Sequence, residues 1–239
     1  MSQLEKAQAF RRMHVEPPIL VLPNAWDVTS AKELAKIDGC RALATSSAAV
    51  ARSLGFEDGE RAPGDLMVEA AGRIAQAVDI PVTGDLERGY GDPVGTARAA
   101  WDAGLVGINF EDSTRAGLVE LDEQVAAIRA IREAVPELVI NARVDIFVRI
   151  GAGDVAEAAE RGNAYLEAGA DCIYPILSPV NSIDALVHRI KGPINVIAEP
   201  GTPPPAELDE LGVARMTWGS NLATAAYAEA VRIAAAALA

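Results

Sequence analysis

Apolar and polar positions along the chain follow a unit that recurs several times. A helical stretch ends at a glycine, two to four residues follow, and a short run of mainly apolar residues comes next. Clear copies lie at 36–47, 102–113, 167–178 and 210–220. Glycine readily ends a helix in the left-handed conformation, and a short, nearly continuous apolar run is typical of a strand buried on both faces. The pattern therefore predicts helices that alternate with parallel strands.

Eight apolar runs predict strands, and helical patterns separate them. The strands are predicted at 19–23, 41–45, 81–85, 106–111, 138–144, 172–176, 194–198 and 214–218. The helices are predicted at 30–37, 65–78, 92–104, 121–135, 154–169, 182–190, 204–211 and 221–239, with an additional helix at 2–14. Eight strand–helix units predict an α/β fold, a (β/α)8 TIM barrel, as a single domain over residues 1–239. A nucleotide-binding sheet is disfavoured because no GxGxxG or Walker motif follows a strand.

Composition narrows the choice of partners. Asp and Glu number 34 against 21 Lys and Arg, and the resulting net charge of −13 argues against nucleic acid and anionic membranes as partners. No apolar run is long enough to span a bilayer, and residues 1–12 lack the apolar segment of a signal peptide. Cys40 and Cys172 match no disulfide or zinc pattern, so we expect a cytoplasmic protein. The two histidines, His14 and His188, lie away from the predicted strand ends and disfavour a multi-histidine metal site.

Charged side chains gather at the ends of three consecutive predicted strands. Asp85 and Glu87 follow the third strand, Glu111 ends the fourth, and Arg143 and Asp145 lie at the end of the fifth. In this barrel the carboxyl ends of the strands form one rim, where the active site lies. Carboxylates crowded there repel one another unless a cation lies among them. Oxygen ligands without a usable His or Cys favour a hard ion, Mg²⁺ or Mn²⁺.

Structural roles compete with catalytic ones at several positions. Asp27 and Asp92 directly precede helical patterns, where an aspartate caps the helix N-terminus. Arg143 is either a bidentate clamp on a substrate anion or the partner of Asp145 in a structural ion pair. The turn at 45–47 either binds an anionic oxygen through its backbone N–H groups or is an ordinary serine-rich turn.

Over most of its length the sequence resembles the isocitrate lyase/phosphoenolpyruvate mutase superfamily. The resemblance is carried by four segments, TSSAAVARSLGFED (45–58), PVTGDLERGYGDP (81–93), GINFEDS (107–113) and NARVDIFV (141–148). Their order and spacing suit a barrel. Together they are specific to the superfamily and much less specific to one reaction.

The resemblance implies one Mg²⁺ (or Mn²⁺) held by acids at the rim. Asp85 matches the direct or near-direct ligand, and Glu87 stands where most relatives have a second aspartate. Glu111 matches the acid of the fourth strand, and Asp58 matches an acid that reaches the metal from the loop after the second strand. The resemblance thus assigns Asp58 to both the metal shell and catalysis.

The resemblance also implies a small anionic oxo- or hydroxy-acid as substrate. Arg143 matches the catalytic arginine that binds the substrate's anionic end, and Thr45, Ser46 and Ser47 match the turn that binds its α-keto acid part. The shared chemistry is a pyruvate enolate, stabilised by Mg²⁺ and oriented donors while a C–C or C–P bond breaks or forms.

One segment departs from the family pattern, and for this reason the sequence predicts a class of reaction and not one specific reaction. Family lyases carry Lys-Lys-Cys-Gly-His in the loop after the fourth strand, and mutases carry a Lys and an Asn there. Here residues 113–124 read STRAGLVELDEQ, with no Cys, His or Lys. We therefore predict a Mg²⁺-dependent lyase or decarboxylase of a small oxo- or hydroxy-dicarboxylate. The alternatives are a phosphonopyruvate mutase or hydrolase acting on a C–P bond and a non-catalytic barrel that binds a metabolite.

The last predicted helix, 221–239, indicates self-association. It is rich in alanine and carries only two charged residues, Glu229 and Arg232. A helix lying on the surface of one barrel would show a more polar outer face. The family resemblance implies that this eighth helix is exchanged between subunits of a homodimer or homotetramer. A helix packed only on its own barrel is the alternative.

Overall fold

The computed structural model of the chain describes residues 1–149 and 154–238. The strands in these ranges are β1 Leu20–Leu22, β2 Asn24–Ala25, β3 Leu43–Thr45, β4 Val82–Asp85, β5 Gly107–Glu111, β6 Ser113–Thr114, β7 Gly117–Leu118, β8 Val139–Val144, β9 Cys172–Pro175, β10 Asn195–Ile197 and β11 Arg215–Thr217. The helices are α1 Gln3–Arg12, α2 Val28–Leu34, α3 Ser47–Ser53, α4 Gly64–Gln76, α5 Pro93–Asp102, α6 Leu121–Ala134, α7 Ile146–Arg149, α8 Val155–Ala168, α9 Ile183–Arg189, α10 Pro205–Leu211 and α11 Asn221–Leu238, with a 3₁₀ turn at Val180–Ser182.

Parallel strand pairing runs around a closed ring. One sheet has the order β2-β3-β4-β5-β8-β9, and the other has the order β1-β11-β10. The two sheets join at both ends. β1 and β2 are successive parts of one strand, separated by Pro23, and a parallel bridge between Ile173 and Ile194 connects β9 to the start of β10. The result is an eight-stranded parallel barrel, which confirms the predicted (β/α)8 fold.

The predicted elements are present with small shifts of their ends. Each of the eight predicted strands lies within two residues of its predicted bounds, and each of the nine predicted helices lies within three. Residue 239, the end of the last predicted helix, lies outside the described residues. The sequence did not predict α3, α7 or the small antiparallel hairpin β6–β7. Elements of two to four residues, such as α7 and the hairpin strands, are too short to show a periodicity, and α3 consists mostly of Ser and Ala, which form no apolar stripe.

The amino-terminal end of the barrel is closed by α1. Ser2 and Glu5 form a capping box that starts this helix. Its fully buried Phe10 packs with Leu20, Leu22 and Val139 from the barrel strands. Because this end is filled by apolar side chains, the opposite, carboxyl end of the strands is where a ligand can enter.

Two of the predicted helix caps are formed. Asp27 accepts a hydrogen bond from the backbone N–H of Ser30 at 2.6 Å, and Asp92 accepts one from that of Gly95 at 2.9 Å. Both aspartates therefore stabilise helix N-termini, those of α2 and α5, which is the structural role that the sequence indicated.

The last helix, α11, is anchored to the barrel only near its start. Arg52 donates to Thr224 at 3.2 Å and lies 5.1 Å from the ring centre of Tyr227. Farther along, Val231 is 68% exposed and Ile233 is 58% exposed. The second half of α11 thus presents apolar side chains to solvent. Among the described residues, no helix is both long enough and apolar enough to cross a membrane.

Candidate active site at the mouth of the barrel

A cavity of about 280 Å³ opens at the carboxyl ends of the strands, and we call it the mouth cavity. Side chains from nearly every strand end line it, as the topology of the barrel requires. They include Asn24, Ser46, Ser47, Asp58, Asp85, Asn109, Arg143, Tyr174, Glu199, Thr217 and Asn221.

Asp85 ends β4 and presents one carboxylate oxygen without a partner. Its Oδ2 accepts hydrogen bonds from the backbone N–H of Ser47 at 3.1 Å and from the Ser47 hydroxyl at 3.0 Å. The Asp85 backbone N–H donates to Thr45 Oγ1 at 2.9 Å, which fixes the end of the strand. Asp85 Oδ1 is buried and has no hydrogen-bond partner among the described residues. This oxygen is thus available to a ligand.

Asp58 lies on the rim beside Asp85. Burial and the charge of Asp85 raise the pKa of Asp58, although hydrogen bonds from Gly59 and Ser47 act in the opposite direction. A bound cation would offset the effect of the neighbouring charge on Asp58.

The other two predicted metal ligands line a neighbouring cavity of about 460 Å³, which we call the side cavity. Glu87 lies beyond the end of β4 in the left-handed region, with φ of 51°. It accepts from the backbone N–H of Glu60 at 2.6 Å and from the Tyr90 hydroxyl at 3.1 Å. Glu111 ends β5 and contacts the Arg143 guanidinium. Both acids are thus held by protein partners.

The described residues fit a magnesium ion bound by few protein ligands. Within residues 1–149 and 154–238, no three acidic, histidine or cysteine side chains converge as a ready-made metal site. Mg²⁺, however, is usually held by one or two carboxylates and keeps several waters. Asp85, with its unpartnered Oδ1, and the adjacent Asp58 meet that requirement. A ligand role for Glu87 and Glu111 stays a prediction.

Arg143 forms an ion pair and lines the mouth cavity at the same time. Its Nε donates to Asp145 Oδ1 at 2.6 Å and its Nη2 to Asp145 Oδ2 at 2.7 Å. The Ser113 hydroxyl donates to the same carboxylate at 2.6 Å. The structural ion pair considered from the sequence is therefore present. Because the Arg143 Nη1 has no hydrogen-bond partner in the described ranges, the guanidinium can also bind an anion in the cavity.

The three residues of the turn at 45–47 have two different roles. Ser46 and Ser47 line the mouth cavity, and the Ser46 hydroxyl caps α3 by accepting from the backbone N–H of Ala49 at 3.4 Å. Thr45 is buried below the cavity wall, where its hydroxyl holds the backbone of Asp85. The structure thus brings Ser46 and Ser47, but not Thr45, to the cavity.

Several residues on the cavity wall were not assigned from the sequence. Asn109 lies two positions before Glu111 on β5, and Tyr174 is the register partner of Arg143 on the next strand. The alternation of inward-facing positions along a strand is the signal that could have identified them. Burial raises the pKa of Tyr174 to about 12, so its hydroxyl stays protonated at neutral pH.

We expect the metal-free protein to lose stability as the pH rises from about 4.5 to 7. Burial, and then the charges of Asp58 and Asp85, raise the pKa of Glu87 from 4.5 to about 7. The folded state thus binds this proton more tightly than the unfolded state. The resulting stability is complete below the unfolded pKa and is lost as the pH passes the folded pKa, at a cost on the order of 3 kcal/mol.

Urea denaturation in EDTA at several pH values between 4 and 8 measures this effect. The Glu87→Gln variant should show a flatter dependence of the free energy of unfolding on pH. Glu16→Gln, which makes the same change at an exposed position, should behave as the wild type. Equal slopes for wild type and Glu87→Gln would contradict the prediction.

Comparisons with known proteins identify the family. The chain matches the family model described as phosphoenolpyruvate phosphomutase over residues 10–238. It is 33% identical to 2-methylisocitrate lyase of Bacillus subtilis (strain 168), over 81% of this chain and 67% of that protein. The chain therefore belongs to the isocitrate lyase/phosphoenolpyruvate mutase superfamily, which confirms the resemblance seen in its motifs.

Solved structures agree with this assignment. A Burkholderia cenocepacia J2315 protein, provisionally described as a phosphonomutase, has a TM-score of 0.87 and 39% identity, covering 98% of this chain and 99% of its own. A crystal structure of 2,3-dimethylmalate lyase has a TM-score of 0.82 and 27% identity, covering 95% of this chain and 86% of its own. The superfamily to which this chain belongs thus consists of lyases and mutases that act on small acids.

Proposed function

We propose that the protein is a Mg²⁺-dependent lyase or decarboxylase that cleaves a C–C bond of a small oxo- or hydroxy-dicarboxylate. The observation that carries the proposal is the placement of Asp85 and Arg143 on one cavity of about 280 Å³. A carboxylate suited to a metal and a guanidinium suited to a substrate anion therefore share a space of the size of a small metabolite.

The anionic end of the substrate is bound by Arg143 in this proposal. Asp145 holds two nitrogens of the guanidinium, so its plane is set before the substrate arrives. Such preorganisation lowers the entropic cost of orienting the substrate. Ser46 and Ser47, which line the same cavity, bind the α-keto acid part in this proposal.

Asp85 and Asp58 are the proposed Mg²⁺ ligands. When bound, Mg²⁺ supplies Lewis-acid polarisation of a substrate oxygen and offsets the charge of the acids. Decarboxylation of an oxo-dicarboxylate releases CO₂ and leaves the electron pair of the broken bond on the oxo-acid as an enolate, which then takes up a proton. Cleavage of a hydroxy-dicarboxylate instead leaves the pair on the other acid fragment as a carboxylate enolate, while the hydroxyl group loses its proton and becomes the carbonyl of the oxo-acid. In both cases fixed hydrogen-bond donors around the cavity stabilise the negative oxygen.

The loop after β5 supports a reaction that does not use a thiol base. Residues 113–118 form the β6–β7 hairpin, and Arg115 Nε and Nη2 donate to the Gly59 carbonyl at 3.0 Å and 2.6 Å. The hairpin is thereby tied to the loop that carries Asp58. Since residues 113–124 contain no Cys, His or Lys, the proposal assigns proton transfer to none of the groups that family lyases carry there.

A C–P bond reaction is the second candidate. The matching family model is that of phosphoenolpyruvate phosphomutase, and the Burkholderia cenocepacia relative provisionally described as a phosphonomutase is 39% identical. A guanidinium binds a phosphonate through the same paired hydrogen bonds as a carboxylate. Arg143 would therefore serve either substrate.

A turnover screen distinguishes these functions. Purified full-length protein is incubated with oxaloacetate, methylisocitrate, dimethylmalate or phosphonopyruvate, in Mg²⁺ and in EDTA, and products are followed by NMR. Mg²⁺-dependent C–C cleavage of one of the first three acids supports the proposal. Phosphate release or rearrangement of phosphonopyruvate would favour the second candidate, and binding without turnover of any acid would favour a non-catalytic barrel.

The exposed second half of α11 supports assembly into a homodimer or homotetramer. Beyond the anchor at Arg52 and Tyr227, this helix leaves apolar side chains uncovered on its own barrel. Each buried branched aliphatic side chain contributes about 1.5–3 kcal/mol relative to exposure. We propose that a second subunit covers this part of α11, as exchange of the eighth helix would achieve.

We expect Ile233→Glu to dissociate the assembly into monomers. The substitution places a charge on the apolar half of α11, where Ile233 is 58% exposed in the single chain. Ile37→Glu is the matched control, since Ile37 is 55% exposed and lies elsewhere on the barrel. Sedimentation velocity at micromolar concentration gives the mass. A wild-type protein that sediments as a 25.0 kDa monomer would refute the assembly.

A further inference from the structure

A buried arginine crosses the interior of the barrel below the mouth cavity. Arg215, on β11, is fully buried, and its Nη2 donates to Oδ1 of Asn109 on β5 at 3.3 Å. The ring of strands places β11 and β5 on opposite sides of the barrel. No carboxylate in the described ranges lies within ion-pair distance of Arg215. The guanidinium therefore acts on its neighbours as an unneutralised positive charge.

The contact with Arg215 determines which way the Asn109 amide points. A guanidinium has only donors, so the amide atom that faces it must be the oxygen. Asn141 Nδ2 donates to the same Oδ1 at 2.8 Å. The nitrogen of Asn109 is thereby turned away from both partners. Its Nδ2 donates to no group in the described part of the chain.

Asn109 lines the mouth cavity, and its nitrogen is the amide atom without a partner in the described part of the chain. Asn109 is only 6% exposed and belongs to the cavity wall. It is the register partner of Asp85 on the adjacent strand, so it lies at the same level of the barrel as the proposed metal ligand. The positive charge of Arg215 on the oxygen side polarises the amide and strengthens its N–H donors. The natural partner of such a donor is an anionic oxygen.

We propose that Asn109 is a substrate-contacting residue, whose Nδ2 donates a hydrogen bond to an anionic oxygen of a small acid in the mouth cavity. Arg215 and Asn141 hold the amide in the orientation that this contact requires. The identity of that oxygen, a carboxylate or enolate oxygen of an α-oxo acid, rests on the proposed function. The contact itself requires only that a small carboxylate binds in the cavity.

Replacing Asn109 by aspartate tests the contact. The Asn109→Asp variant would keep the acceptor that faces Arg215 and lose the donor proposed to bind the acid. The melting temperature should equal or exceed that of the wild type, because Arg215 gains a carboxylate partner. Oxalate, a planar mimic of the pyruvate enolate, is the probe. Its affinity, measured by calorimetry in Mg²⁺, should fall about 10- to 100-fold on loss of a charge-assisted hydrogen bond.

Asn195→Asp is the matched control. Asn195 is the register partner of Arg215 on β10, so this variant also places a carboxylate beside the buried guanidinium. Asn195 does not line the mouth cavity among the described residues. Oxalate affinity should therefore stay close to the wild-type value.

The outcomes separate this inference from the proposed function. Unchanged oxalate affinity in Asn109→Asp, an equal loss in both variants, or an Asn109→Asp protein that does not fold would overturn the role of Asn109. Wild-type protein that binds no oxalate would overturn it as well, and the turnover screen would still judge the lyase proposal. A loss confined to Asn109→Asp supports the role of Asn109 even where no acid in the screen is cleaved.

Discussion

Asp85→Asn is expected to abolish Mg²⁺ binding and turnover while the fold is retained. The buried Oδ1, which has no partner in the described part of the chain, is the oxygen proposed to hold the ion. An amide in its place offers no negative charge, and we expect Mg²⁺ affinity to fall by at least about 100-fold. Ser47 can still donate to the remaining oxygen. Removal of one of two adjacent acids also relieves their repulsion, so the melting temperature should not fall.

Calorimetric titration with Mg²⁺ measures the effect. Asp92→Asn is the matched control, because it makes the same change at the N-terminus of α5, where asparagine caps a helix as well as aspartate does. Unchanged Mg²⁺ affinity in Asp85→Asn would reject the site. A protein that binds Zn²⁺ tightly as its native ion would contradict the preference of oxygen ligands for a hard cation.

Arg143→Lys is expected to lower kcat/KM by about 100-fold, since lysine keeps the charge and loses the planar guanidinium, which Asp145 holds through two nitrogens and which keeps its third nitrogen, Nη1, for the substrate anion. The same substitution weakens the contacts with Asp145 and Glu111. We therefore also expect the free energy of unfolding to fall by about 1–3 kcal/mol. Activity is measured well below the melting temperature so that the two effects stay separate.

Arg132→Lys distinguishes a catalytic from a structural effect. Arg132 binds Asp171 and the Gly169 carbonyl, and the register of β8 with β9 puts Asp171 at the amino-terminal end of the strands. Its replacement should reduce stability and leave kcat/KM unchanged. If Arg143→Lys retained full activity, Arg143 would be a structural residue that only pairs with Asp145.

Local sequence patterns were sufficient for the fold. A strand such as Val139–Val144 is buried on both faces, and therefore its residues are apolar in an almost continuous run. The glycines that end α8 and α10 adopt φ of 111° and 90°, a conformation that few other residues favour. These preferences for strand and helix end depend only on residues within a few positions, so they are visible in the sequence. The hairpin β6–β7 was missed because four paired residues leave no pattern.

The position of the site also followed from local information. In parallel strands of one barrel, Asp85 and Arg143 must reach the same rim, whatever the details of packing. The sequence did not predict that the acidic side chains would line two separate cavities. Glu87, two residues after Asp85, leaves the strand in a left-handed conformation and bonds to Glu60, so it faces the side cavity instead of the mouth cavity. That turn depends on a loop 27 residues earlier in the chain.

The order of elements, the barrel and the rim on which acids and an arginine meet all follow from local sequence patterns, because each rests on the character of a residue and its near neighbours. Contacts between distant strands, by contrast, set which oxygen of Asp85 is unpartnered and which atom of the Asn109 amide meets Arg215. Asn109 and Arg215 are 106 residues apart and meet across the barrel. The distances and directions of such hydrogen bonds are set only when all eight strands have assembled into the barrel. No pattern along the chain therefore reveals them.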